Sequence, residues 1–227
     1  MMVNSNAIGN DENGERTGTS RGRPRRSFPD WSGGALCLDF SETLEHQSSR
    51  FEKESLNSYQ DLVAWGEQIG ILDSRQAGRL ANEAVARPEE AAGVLDRALA
   101  LRKVIYNIFS AVAGGRQPAE EDLSAFNSVI GEALDNLRII PDADGFAYGW
   151  AERQDALDSV LWPVVWSALD LLTSDRLALV RNCDSPDCSS LFLDTSKNHS
   201  RRWCDMKSCG NRAKVARYYN RRKHHTG

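Results

Sequence analysis

Residues 183–212 read CDSPDCSSLFLDTSKNHSRRWCDMKSCGNR. Cys183 and Cys188 form one C-x4-C pair, Cys204 and Cys209 form a second, and fifteen residues separate the two. Two short cysteine loops joined by a hairpin-sized spacer bring four thiolates to one point, and thiolates are the ligands zinc takes in closed structural sites. Two disulfides or four unrelated core cysteines are the competing readings. Disulfides belong to exported chains, and the opening MMVNSNAIGNDENGERTG carries no apolar stretch of signal type. No apolar run reaches the roughly 18 to 20 residues of a membrane span. The expectation is therefore a cytoplasmic protein with one structural Zn2+ and no membrane partner. His199 lies five residues before Cys204, but four thiolates already complete a tetrahedron. They also leave no open position for a reactive water, so metal-assisted hydrolysis is not expected.

Charge divides the chain sharply. The net formal charge is −4, yet residues 197–227 hold ten Lys and Arg against Asp205 alone, a local +9. The preceding 196 residues then carry −13. An acidic body with a basic end points to a polyanion partner. Solubilisation of the end, or docking of the end onto the body, is the bland alternative.

Residues 1–27 are rich in Asn, Gly, Ser, Thr and charge and lack a hydrophobic pattern, which predicts a disordered arm. Arg21, Arg23, Arg25 and Arg26 there suit either phosphate contacts or a plain solvated tail. Order is expected from Phe28–Trp31, with Gly33 and Gly34 turning the chain into Leu36–Phe40. Cys37, inside the apolar run Ala35–Phe40, reads as a small buried hydrophobe because no His or Asn partner accompanies it.

The stretch from about 36 to 180 reads as mostly helical. Ser58 precedes Leu62, Trp65, Ile69 and Leu72 at spacings of three to four, the pattern of a capped amphipathic helix. Ser74 precedes another helical segment, and Pro88 suits the first turn of a third, where its missing N–H costs nothing. Leu95, Leu99, Ile105, Phe109 and Val112 then share a broad face up to Gly114–Gly115. Glu120–Asp122 open a helix striped by Leu123, Phe126, Ile130 and Leu134, with acids favoured at the positive end of its dipole. Residues 136–150 read as a hairpin, and 154–174 as a last helix that Pro163 either kinks or delays. The predicted fold is mainly α: a helical domain over 28–180, then a treble-clef-like zinc module over 181–227.

Within that module, Leu191–Asp194 is expected to pair with Ser200–Trp203 across the TSKNHS loop. Cys209 and Gly210 then lead into the basic helix NRAKVARYYNRRK. Lys197, Arg201, Arg202, Arg212, Lys214, Arg217, Arg221 and Arg222 are the candidate nucleic-acid contacts. Val215, Tyr218 and Tyr219 are expected to pack on the hairpin or body. About 30 residues cannot build an adequate core, so metal binding supplies the folding free energy.

The run CDSPDCSSLFLDTSKNHSRRWCDMKSCGNRAK resembles the CGNR zinc finger, whose name is spelled by Cys209, Gly210, Asn211 and Arg212. Asp194, Ser196, Asn198, Ser200, Arg201, Arg202, Trp203 and Cys204 also match that family's pattern. Residues 30–180 are similar to the ABATE domain that precedes this finger, on GGALCLDFSETLE, DLVAWGEQIGIL, RALALRKVIYNIFSAVA and LLTSDRLALVRNC. Ser41 and Glu42 stand where that family commonly has an apolar residue and an amide. The resemblance implies a bacterial, DNA-binding transcription regulator whose helical domain senses a small-molecule effector or binds a protein partner. An RNA-binding or protein-interaction module is the alternative. No nucleophile–base constellation or phosphate loop is present, so no enzymatic activity is expected. Asp39, Glu42, Trp65 and Arg102 are candidate pocket residues, charged or aromatic groups set in apolar sequence. Surface pairs and helix caps are the bland reading of the same residues.

Overall fold

The computed structural model describes residues 33–45, 53–142, 145–151, 153 and 156–223, with Glu45 and residues 219–223 as backbone only. The arm at 1–27, its arginines and the segment Phe28–Trp31 lie outside the described residues. The described chain begins with helix α1 (Leu36–Ser41) and a minimal ladder of β1 (Leu44–Glu45) on β2 (Lys53–Glu54). Helices α2 (Tyr59–Gln68), α3 (Ser74–Ala86), α4 (Pro88–Ala113) and α5 (Glu120–Asp135) follow. A hairpin of β3 (Leu137–Asp142) and β4 (Gly145–Trp150) leads to α6 (Trp162–Leu172). The chain closes with β5 (Val180–Asn182), β6 (Leu191–Leu193) and α7 (Asn211–Lys223).

Local chemistry sets these boundaries. The Ser58 hydroxyl accepts the Asp61 N–H and starts α2. One residue ahead of the expected Ser74, Asp73 caps α3: its carboxylate takes the Gln76 N–H while Gln76 takes the Asp73 N–H. Pro88 occupies the first turn of α4, and Gly115, at φ +68°, follows the Gly114 that ends it. Pro163 delays α6 instead of kinking it, because a 3-10 turn over Leu157–Val160 precedes the helix.

Helix α4 is 26 residues long, roughly 39 Å at 1.5 Å per residue, and it is the spine of the core. Val94, Ala98, Leu101, Ile105, Ile108 and Phe109 are buried along it. Helices α1, α2, α3 and α5 pack around it, and α6 packs across α1 and α5. The hairpin is fastened by Tyr148 against Trp166 and by Trp150 against Trp162. Arg102, on the same spine, is 5% exposed. Its guanidinium grips the Glu54 carboxylate at 2.7 and 2.5 Å and also donates to Thr43 Oγ1, so β2 is tied to the helical core.

Strand pairing near the C-terminus differs from the sequence expectation. β6 pairs antiparallel with β5 before it, in the register Val180↔Leu193, Arg181↔Phe192, Asn182↔Leu191. It does not pair with Ser200–Trp203. The cause is burial on both faces of β6. Leu191 and Leu193 enter the helical core beside Val180, while Phe192 faces the opposite way into a second cluster with Cys183 and Cys209. Only a partner already lying on the helices satisfies that arrangement. Residues 200–203 are held by separate contacts instead of a ladder, among them Asp194 Oδ2, which accepts the Arg201 N–H at 2.8 Å.

Candidate metal centre and basic surface

Each cysteine is placed by an identifiable device. Cys183 follows β5 directly, and its N–H donates to Ser190 O at 2.9 Å, extending the β5–β6 ladder by a rung. The first loop folds back on itself, with Cys188 N–H on Ser185 O at 3.0 Å. The Asp184 N–H donates to Arg202 O, which brings in the chain carrying Cys204. Asp205 accepts the Lys207 and Ser208 N–H groups and opens a π-turn, Met206–Gly210, that holds Cys209 ahead of α7. Gly210 is closely covered, since a Cβ there would come within 3.0 Å of Met206 Sδ and the methionine would have to shift.

The four sulfurs lie within 4.8 Å of one another. Cys188 and Cys209 each stand 3.7 Å from Cys204. A disulfide requires about 2.05 Å, and all four thiols are free. A tetrahedron with Zn–S near 2.3 Å has edges of about 3.8 Å. The two spacings at Cys204 match that edge and all the others stay within 4.8 Å, so the four cysteines fit a single zinc ion. His199 stands outside the group, with Nδ1 3.0 Å from the Asp194 carbonyl oxygen.

The groups around the sulfurs share a consistent role. Arg212 Nη2 donates to Cys209 Sγ at 3.0 Å, placing a cation on a ligand thiolate. That contact and the sulfur's negative charge raise the guanidinium pKa further. Arg201 is also used internally. It lies 4.4 Å over the Phe192 ring, and it donates to the carbonyls of Trp203 and Cys204. The Asp194 side chain gathers the spacer loop by accepting from Ser196 and Arg201. Burial works against its charge, but those hydrogen bonds prevail and hold its pKa low.

Other cations face outward. Lys197, Lys207, Lys214 and Arg217 are exposed, and Arg202 is exposed while paired with Asp184 at 2.6 Å. Arg202 and Arg217 sit 5.4 and 5.5 Å from the centre of the Trp203 ring. The backbone at Arg221 and Arg222 continues α7, and their side chains lie outside the description. Val215 and Tyr218 do not pack as expected: they are 47% and 57% exposed.

Of the four pocket candidates, Asp39, Glu42 and Trp65 line one open cleft of about 420 Å3. Arg102 does not line it, because its guanidinium is spent on Glu54 and Thr43. Cys37 is fully buried, as expected, and burial pushes its thiol up to about 12. Sequence reading missed the second role of Glu42. Its carboxylate accepts the Ser190 O–H and the Leu191 N–H, and the Cys188 sulfur lies 3.3 Å from Ser190 Oγ. Helix α1 and the first cysteine loop are thereby hydrogen-bonded together.

Two outcomes follow. Arg212→Ala should weaken zinc affinity about tenfold, the scale of loss when a group orienting a ligand is removed. Competition with a chromophoric chelator measures it, and unchanged affinity counts against the Arg212–Cys209 contact. The second concerns pH. Burial raises the Glu42 carboxyl from 4.5 to about 7, so between those values the folded chain holds a proton that the unfolded chain has released. The stability from this group is present at low pH and lost as pH climbs toward 7. In zinc-saturated protein, Glu42→Gln should gain about 2 kcal/mol on the parent between pH 5 and pH 8, a figure reduced for partial exposure. A pH-independent difference in urea unfolding would count against it.

Comparison with known families agrees with this geometry. Residues 34–175 match the ABATE family, whose description reads "Putative stress-induced transcription regulator". Residues 180–222 match the CGNR zinc finger. No curated protein matches the chain. Helical body, shared strand and four-thiol centre thus coincide with the matched segments, and the chain belongs to the ABATE family with a CGNR zinc finger at its C-terminal end.

Proposed function

We propose that the protein is a transcription regulator whose zinc-organised basic end binds duplex DNA while the helical body receives a signal or a partner. One observation carries the reading. The outward cations Lys197, Arg202, Lys207, Lys214 and Arg217 all belong to the segment built on the four cysteines, and residues 197–227 hold +9 against −13 elsewhere. Such a surface attracts phosphate, releases counterions and orients the acidic body away from the polyanion. The family description supports regulation of transcription. Among the described residues no helix is long and apolar enough to cross a membrane.

The chemistry of the centre supports a binding protein over an enzyme. Four thiolates close the coordination shell of zinc, so the metal serves as a scaffold for α7. Arg201 is engaged inside the scaffold and Arg212, though exposed, is held on Cys209 Sγ, which leaves phosphate contact first to Lys214, Arg217 and their exposed neighbours. A second reading has one observation in its favour: Tyr218, 57% exposed on the basic helix, suits stacking on an unpaired base.

Affinity for a duplex should fall steeply with salt, and Lys214→Ala with Arg217→Ala should reduce the slope of log K against log salt by about 2. Fluorescence anisotropy with a labelled duplex reads this, with single-stranded RNA as competitor. A flat salt response, or preference for the RNA, overturns the duplex reading.

A further inference from the structure

Two adjoining clefts lie along α3, β4 and α6. Their volumes are about 450 and 340 Å3, and they share Ile71, Trp150 and Pro163 as a common wall. Together they form one groove within the size range of small-molecule sites. Its two ends differ in chemistry.

At one end stand Arg75, Arg79 and Arg153. Arg75 and Arg79 are four residues apart on α3 and so point to the same side. Arg153 arrives from the chain after β4. Among the described residues no acidic side chain lines this end, and none of the three arginines has an ion pair. Among the described residues these three cations share the cleft with no acidic side chain, and like charges repel. They do so on a body that is otherwise strongly acidic. The other end is more apolar, with Trp166 and Leu36 beside the shared Trp150, and Asp170 and Arg176 also line it.

We infer that this groove binds a small organic anion: an anionic head held by Arg75, Arg79 and Arg153, and a planar apolar body along Trp150 and Trp166. Guanidinium forks match carboxylate, sulfonate or phosphate oxygens in pairs, and tryptophan faces accept a flat ring. The inference deepens the reading that the helical body receives a signal, and it rests on that reading for its biological meaning alone. The groove also borders the element that carries the zinc module. Gly34 lines its far end, the Gly33 carbonyl accepts the Leu193 N–H at 2.8 Å, and Arg176 ties down Gly34 O at 2.9 Å.

The test is a titration of the zinc-loaded full chain with 8-anilinonaphthalene-1-sulfonate, following dye emission and tryptophan quenching. N-phenyl-1-naphthylamine, the same rings without the sulfonate, is the uncharged comparison. Saturable binding at one site is expected. Arg75→Ala with Arg79→Ala should weaken the sulfonate at least about tenfold, the loss of one to two charged hydrogen bonds, and change the uncharged dye less than about twofold on the same scale. Arg116→Ala, in the exposed turn after α4, should change neither. Unfolding of the double variant, checked by circular dichroism, transfers the same comparison to Arg153→Ala. Absence of saturable binding, or equal losses for the two dyes, overturns the inference. Because the readout is binding itself, its failure is distinct from a failure of DNA binding.

Discussion

Everything at the C-terminal end depends on the alternation of a three-residue strand. Leu191 and Leu193 are buried in the helical core and Phe192 is buried against Cys183 and Cys209, so β6 belongs to two hydrophobic clusters at once. A pleated strand sends successive side chains to opposite faces, and a slip of one residue would exchange the two sets. The position of the first metal-binding thiol is thereby set by packing on α4, since Cys183 is the next residue after β5. A segment too short to fold by itself acquires one wall from the helices and the other from zinc. The Glu42 bridge to Ser190 and Leu191 fastens the same junction from the side of α1.

Electrostatics within the finger serve two ends. A zinc ion with four thiolates is net negative, and the Arg212 contact at Cys209 offsets part of that charge where α7 begins. Arg201 likewise braces Phe192 and the Trp203–Cys204 backbone. The basic count of the segment therefore overstates what is presented to a partner, and the outward cations are fewer than the composition suggests. Trp203, flanked by Arg202 and Arg217, supplies the apolar surface on which the remaining cations are arranged.

Much of this was legible from residues close together in the chain. Paired C-x4-C loops specify a four-thiol centre because ligand spacing and ligand chemistry are both local. Helices announced themselves through Ser58, Pro88, the acidic turn at Glu120–Asp122 and Pro163. The strand partner of β6 was not legible. Val180–Asn182 and Ser200–Trp203 both lie within reach, and the choice is made by burial against α4, which no local pattern reports. Arg102 was noticed correctly as a charge in apolar sequence, but its partner Glu54 is 48 residues away on a two-residue strand, so it read as a pocket candidate or a surface pair and not as a buried clasp. The arginine groove was hidden for the same reason. Arg75, Arg79 and Arg153 line one cleft only in the folded chain, where the Trp150–Trp162 contact sets the hairpin on α6.

The central claim is that zinc and the helical core stabilise one shared strand pair. Hydrogen exchange of the full chain, with zinc bound and after chelation, tests it most directly. The account predicts that removing zinc lowers protection beyond residues 183–223, at Val180–Asn182 and at the α1 and α4 amides beside the β5–β6 pair. Loss of protection confined to 183–223, with α1 and α4 unchanged, would contradict it.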